Sequence, residues 1–395
     1  MGLYIYVLAL NIFLNPTIRF PAPLLFGIPL IALFGSFRNR FLYHRELLFI
    51  LLANLFVYVI GNSDYTTIIS NAINILTCAF FFNYFVGTDS KRFNSSIVVF
   101  FGVLALSTVI MLLNHMFPAR IVGLRSTLLM GGDIFQSPSG IAAFVFSFGY
   151  QLAALVSFIF IYVLVNSKSW LVKGSVLLFC LLGVYFGMQR SAVLVFIVTV
   201  FLFTIVKFKF KASMLLALIG ILSFAVYSFI LKDNLSSYDN VFSKNERNSG
   251  ENRGNLVFEN LEIIMDYPYG LLFHGKQWED VVRDNPVFAS GITSHNAYLM
   301  FITIVGPFIG TFILLGLYGK YFSIFINALR NIKENRYTLL ICLCFAFLGV
   351  SMNALFHNAW LGTANGPTVF LYFAIIRLSE NMQLSSQQED STIAF

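Results

Sequence analysis

Between Ile97 and Met116 the chain runs through twenty residues without an aspartate, glutamate, lysine or arginine, and similar stretches recur along nearly its whole length. No other feature narrows the fold as far. A helix of about 20 apolar residues matches the hydrocarbon thickness of a bilayer. Inside hydrocarbon each backbone N–H and C=O must find its partner within the protein, and a helix supplies all of these itself. The sequence therefore predicts an all-α protein, a polytopic transmembrane helical bundle. Composition agrees, with 11% of residues charged against roughly 25% in soluble domains.

Counting apolar runs gives about twelve spans: 2–18, 22–37, 47–61, 65–87, 95–117, 140–166, 170–187, 191–206, 212–231, 296–318, 337–353 and 361–378. The predicted organisation is nine spans over 1–231, one large loop over 232–295, three spans over 296–378 and a polar, disordered tail over 379–395. The first apolar stretch has no basic leader and no small-residue cleavage site, so it is expected to act as its own insertion signal. Cys78, Cys180, Cys342 and Cys344 all lie inside apolar runs, which predicts packed thiols.

The net charge of +7 is read here as topology, not as a nucleic-acid surface. With both termini cytoplasmic, fifteen of the 25 lysines and arginines fall in inner loops and the tail, and only Arg19, Arg120, Arg125 and Arg190 in short outer loops. Basic residues favour the cytoplasmic side, so 232–295 is expected to be periplasmic or extracellular.

The polar chemistry gathers on that outer side. Within the loop, "NLVFENLEIIMDYP" predicts an amphipathic helix with Leu256, Leu261, Ile264 and Met265 on one face; it either shields the spans, lies on the membrane surface or caps a cavity. His115, His274, His295 and His357 map outward too, without the close spacing of a metal site. His295 and Asn296 open a predicted span, where His295 is either a reactive group or an anchor for the helix start with Ser294 as its N-cap. Gln189 and Arg190 interrupt an apolar stretch in "GVYFGMQRSAVLVF"; a guanidinium at membrane depth is costly and is paired, functional or snorkelling to the headgroups. Arg120, Arg125 and Arg253 are further outward guanidinia whose planar forks suit phosphate oxygens. His357 and Asn358 repeat the His-Asn pair, beside Trp360, which reads as a headgroup-level anchor.

These stretches together resemble the bacterial O-antigen polymerase and O-antigen ligase superfamily. Arg120 followed after ten residues by Gly131, and the run from Arg125 through Gly131 and Pro138 to Ala142, are similar to its outer-loop patterns. "MQRSAVL" is similar to its Ser-Arg-small signature with Gln189 in place of serine, and Arg253 followed by "DYPYG" to its arginine, helix and Pro-x-Gly order. His295-Asn296 followed after nine residues by Gly306 resembles the ligase histidine pattern, except that Ile309 stands at its last position and Gly310 one residue later.

The resemblance implies a GT-C-like fold and a metal-independent, cofactor-free glycosyltransferase of the bacterial inner membrane. Its donor would be an undecaprenyl-pyrophosphate-linked oligosaccharide and its surroundings the lipid bilayer, with a chain-length regulator protein as a candidate partner. His295, Arg253 and Arg190 take catalytic roles, and Arg120, Arg125, Gln189, Asn296 and His357 contact pyrophosphate or glycan. O-antigen polymerase is the preferred expectation. The alternatives are a ligase that transfers glycan to lipid A core, and a polyprenyl-glycan flippase, against which the missing internal repeat and the loop-borne charges argue.

Overall fold

A computed structural model describes residues 28–37, 40–60, 65–128, 139–141, 145–209, 214, 220–221, 253–285, 287–288, 294–364 and 366–393. Every regular element among them is helical: α1 (Ile28–Phe34), α2 (His44–Leu55), α3 (Tyr65–Phe80), α4 (Ser90–Met116), α5 (Pro118–Leu128), α6 (Val145–Asn166), α7 (Trp170–Phe186), α8 (Arg190–Phe208), α9 (Arg253–Asp266), α10 (Trp278–Val282), α11 (Ala297–Val305), α12 (Pro307–Arg330), α13 (Thr338–Asn353) and α14 (Gly366–Ile393). The last turns of α2 and α3 widen to π geometry over Phe56–Ile60 and Phe81–Val86.

Among the described residues six helices are long and apolar enough to cross a membrane: Tyr65–Val86, Ser90–Met116, Phe146–Asn166, Arg190–Phe208, Pro307–Arg330 and Asn335–Asn353. α7 is apolar but shorter, at 17 residues. The predicted span 2–18 and nearly all of 212–231 lie outside the described residues, and 22–37 is represented by the seven residues of α1.

α13 forms the centre. Leu340, Ile341, Cys342, Leu343, Cys344, Phe345, Ala346, Phe347, Gly349 and Val350 are all buried, so this helix presents no exposed face, as a helix apolar all round must. It packs against α6, α8, α12 and α14. Polar groups within the bundle pair between helices: Ser107 donates to Gln151 at 2.8 Å, and the Tyr321 and Tyr372 hydroxyls donate to the carbonyls of Cys344 and Leu317 at 2.9 and 2.7 Å. Glu46, buried, meets Lys320 Nζ at 2.9 Å and ties α2 to α12. All four cysteines are buried free thiols. On its outer face α12 exposes Phe308, Phe312, Leu315, Phe322 and Ile326. In water such a stripe would be an aggregation surface; hydrocarbon accommodates it, and the protein is a membrane protein.

Three sequence expectations need correction. The span predicted over 296–318 is not one helix: the chain breaks at Gly306, where φ is +87, and the crossing helix runs from Pro307 to Arg330. Proline at the first position suits a helix start because its missing N–H would be unpaired there anyway. The tail read as disordered continues α14 as helix to Ile393. Trp360 is not a headgroup anchor but a core residue, 2% exposed and packed against Tyr298 and Phe301.

Candidate functional site

One end of the bundle brings together the last turn of α2, the start of α8, the start of α11, the end of α13 and the turn over 354–364. Met188, with φ +53, reverses the chain after α7 so that α8 begins at Arg190. Gln189 occupies the cap position and is buried. It sits so close to α6 that a Cβ added to Gly149 would meet its Oε1 at 3.1 Å. Ser191, the next residue but one, reaches His357 with Oγ···Nε2 at 3.1 Å.

His357 is a hub. It is 6% exposed, its ring packs edge-on to Phe146 at 5.3 Å and lies 6.0 Å from Tyr150, and the Tyr150 hydroxyl donates to Ala359 O. The His357 carbonyl, together with that of Ala354, accepts from Ala297 N at 3.0 Å. Two stretches that are 106 residues apart, Arg190-Ser191 and Asn296-Ala297, are thus joined through His357.

α11 is capped by Asn296, whose Oδ1 accepts from Tyr298 N at 3.2 Å and Leu299 N at 3.1 Å. The N-cap is therefore not Ser294, which donates to Asn296 O at 3.4 Å. An amide at the cap satisfies helix N–H groups that have no internal acceptor. His295 stands just before it at φ +49, a left-handed conformation that histidine, asparagine and aspartate enter more readily than most residues.

The loop docks onto this end. α9 begins at Arg253 and packs on α11, where buried Asn260 accepts from Thr303 Oγ1 at 2.6 Å. Its buried face is Leu256, Asn260 and Ile263, whereas Leu261 and Met265, expected on the apolar face together with Leu256, are exposed. Leu256 and Ile263 join Leu271, Val282 and Phe288 in a small core of the loop's own. Gly270, at φ +90, and Gly306 then touch backbone to backbone. A Cβ on Gly270 would lie 2.2 Å from Gly306 N, and one on Gly306 2.4 Å from Tyr269 O. The "DYPYG" stretch and the glycine after the His-Asn pair are thereby clamped together.

Arg120 and Arg125 part company within α5. Arg120 is exposed, whereas Arg125 is fully buried and donates to Ser139 Oγ. Burial lowers Arg125 to about 10, which leaves it cationic at neutral pH. Ser139 leads into Gly140 and Ile141, docked on α4 through Ser107. Gly131, Pro138 and Ala142 lie outside the described residues.

A cavity of about 560 Å³ opens beside the hub. Its floor is the Ala297, Met300, Phe301 and Ile304 face of α11 with Trp360; its rim carries Tyr58, Gln277, Trp278, Glu279 and Asn358. Glu279 is not among the residues singled out by the sequence, and nothing in the sequence pairs 277–279 with 357–358. A larger cavity, about 770 Å³, lies between the start of α4 and α14, lined by Thr88, Asn94, Asn381 and Ser385 among others. None of the expected site residues lines either cavity, but Ala297 and Asn358 in the smaller one are the chain neighbours of Asn296 and His357. Among the described residues no three His, Cys, Asp or Glu side chains group as metal ligands would.

No family model matches this chain, and no curated protein matches it.

Proposed function

We propose that this chain is a glycosyltransferase of the O-antigen polymerase type, with about twelve spans of GT-C-like arrangement in a bacterial inner membrane and both termini cytoplasmic. It would transfer a glycan from undecaprenyl pyrophosphate to a sugar hydroxyl of a second lipid-linked repeat unit at the outer face. The observation that carries this reading is the convergence on His357: Ser191 beside Arg190 bonds its ring, and Ala297 beside the His295-Asn296 pair bonds its carbonyl.

In this reading the acceptor hydroxyl oxygen attacks the anomeric carbon while the bond from that carbon to the pyrophosphate oxygen breaks. His295 accepts the hydroxyl proton, since a neutral imidazole is available near pH 7. The leaving group departs as an anion, and guanidinium groups neutralise the charge that develops on it. Arg190 and Arg253 are assigned to that task, assisted by Arg120. Arg125, buried and bonded to Ser139, ties α5 to that residue. His357 acts through Ser191, by fixing where α8 begins and hence where Arg190 stands. Asn296 orients His295 by capping α11, and Gln189 seats the turn before Arg190. Neutralisation by arginine leaves no step that needs a divalent cation, so activity is expected to persist in a chelator; a strict requirement for added cation would refute this assignment.

The test is a surface-glycan gel from cells lacking the gene, complemented with wild type or with His295 variants. A single repeat unit in place of a ladder, restored by wild type, identifies a polymerase. Complete loss of attached glycan with polymer accumulating on the lipid carrier identifies a ligase instead. An unchanged ladder in the deletion strain refutes both.

A further inference from the structure

We propose that the 560 Å³ cavity beside the hub is a binding subsite for an uncharged sugar. Its volume falls within the roughly 300–1,000 Å³ of small-molecule sites. Among the described residues no lysine or arginine lines it, and Glu279 stands on its rim. A carboxylate on the rim disfavours phosphate, so a neutral ligand suits this cavity better than a pyrophosphate does.

The lining is of two kinds, and they match the two faces of a pyranose. Ala297, Met300, Phe301 and Ile304 lie on one face of α11 and give a flat apolar floor for C–H groups. Trp278 and Tyr58, both partly exposed, add aromatic rings on which an apolar face can pack. The polar groups sit at the rim. Gln277 precedes α10, its N–H donating to Asp280 Oδ2 at 2.9 Å and its carbonyl accepting from Asp280 N at 3.2 Å, and its exposed side-chain amide carries both a donor and an acceptor. Glu279 offers acceptors only, and Asn358 offers both functions. Vicinal hydroxyls, each a donor and an acceptor, pair with that mixture.

Position ties the subsite to the reaction. Asn358 follows His357, and Ala297 both lines the cavity and bonds the His357 carbonyl at 3.0 Å. A sugar here would touch Ala297, whose N–H bonds the carbonyl of His357, the residue whose ring bonds Ser191 at the start of α8. Calling the bound sugar the acceptor rests on the glycosyl-transfer reading; sugar binding itself does not.

The experiment is saturation-transfer NMR on the full chain in lipid nanodiscs. The probes are the methyl glycosides of glucose, galactose, rhamnose and N-acetylglucosamine, with empty nanodiscs as blank. At least one glycoside is expected to receive saturation from wild type. Its affinity is expected to fall about tenfold or more in Glu279→Ala/Asn358→Ala, since each change removes a hydrogen bond, one of them to a charged group. Both residues are exposed, so the double variant should fold; Glu262→Gln, exposed on α9, is the matched control. Saturation of no glycoside, or binding that survives the double variant, overturns the subsite. The two proposals fail separately: sugar binding lost in the double variant while the deletion strain keeps its ladder retains the subsite and removes the polymerase. A ladder that depends on His295 while sugar binding ignores Glu279 and Asn358 does the reverse.

Discussion

At the scale of residues, two histidines read from sequence as similar features of the outer face separate into different kinds of group. His295 is partly exposed at a left-handed φ of +49; His357 is buried and bonded on both its ring and its carbonyl. Three of the four non-glycine residues with positive φ among those described, Met188, His295 and Ala364, flank this end of the bundle. Such conformations cost of order 1–3 kcal/mol each and persist where the surroundings enforce them. Backbone and side chain at 295 can therefore be tested apart. His295→Gly relieves the backbone and removes the imidazole, whereas His295→Ala also keeps the strain. If the imidazole is the general base, both variants should lose about 10²- to 10⁴-fold in transfer rate. Activity restored in the glycine variant alone would mean that the position matters only as a turn. For His357→Ala, the loss of the Ser191 partner is expected to cost about 1–3 kcal/mol, read as a lower thermal midpoint in detergent; an unchanged midpoint would remove it as the hub.

At the scale of elements, the break between α11 and α12 is what brings the loop to the site. A nine-residue helix, capped by Asn296 and ended by Gly306, hands the chain to a 24-residue crossing helix, and the junction fits only because Gly270 and Gly306 lack side chains. Gly306→Ala and Gly270→Ala are each predicted to destabilise by roughly 1–3 kcal/mol through overpacking, with the left-handed φ adding to it. In contrast Gly319, within α12, has open space where a Cβ would go, so Gly319→Ala should be neutral or stabilise by up to about 1 kcal/mol. Thermal unfolding of the three variants in one detergent checks the pattern; equal midpoints would show that the glycine contact does not hold the loop. The clamp was half legible: the sequence marks both glycines by motif, but a contact between positions 36 residues apart depends on how α9 lies on α11. The face of α9 was misread because period alone does not say which neighbour claims it. Asn260, which is not among the residues of the expected apolar face, is buried and accepts a hydrogen bond from Thr303.

At the scale of the whole molecule, orientation is the property most open to direct measurement. The four native cysteines are buried and should stay unlabelled by a membrane-impermeant maleimide in intact cells. Against that silent background, Glu279→Cys is expected to label from outside and Lys168→Cys only after permeabilisation, following the fifteen-to-four bias of basic residues. Labelling in the opposite order would turn the molecule over and place the histidine and arginine end on the cytoplasmic side, ending the outer-face reaction proposed here.

The sequence by itself determined the helical, membrane-embedded class of this protein and where its polar residues fall along the chain. The reason is that hydrocarbon tolerates only self-satisfied backbone and excludes charge, so runs and gaps in hydropathy are direct consequences of the environment. Tertiary structure alone decided which of those residues meet. Ser191 with His357, Ala297 with the 354–357 turn, Gly270 with Gly306 and the cavity walled by 277–279 and 358 are contacts between segments far apart in the chain. They follow from how buried helices pack, and packing depends on complementary shape between surfaces that hydropathy describes only as apolar.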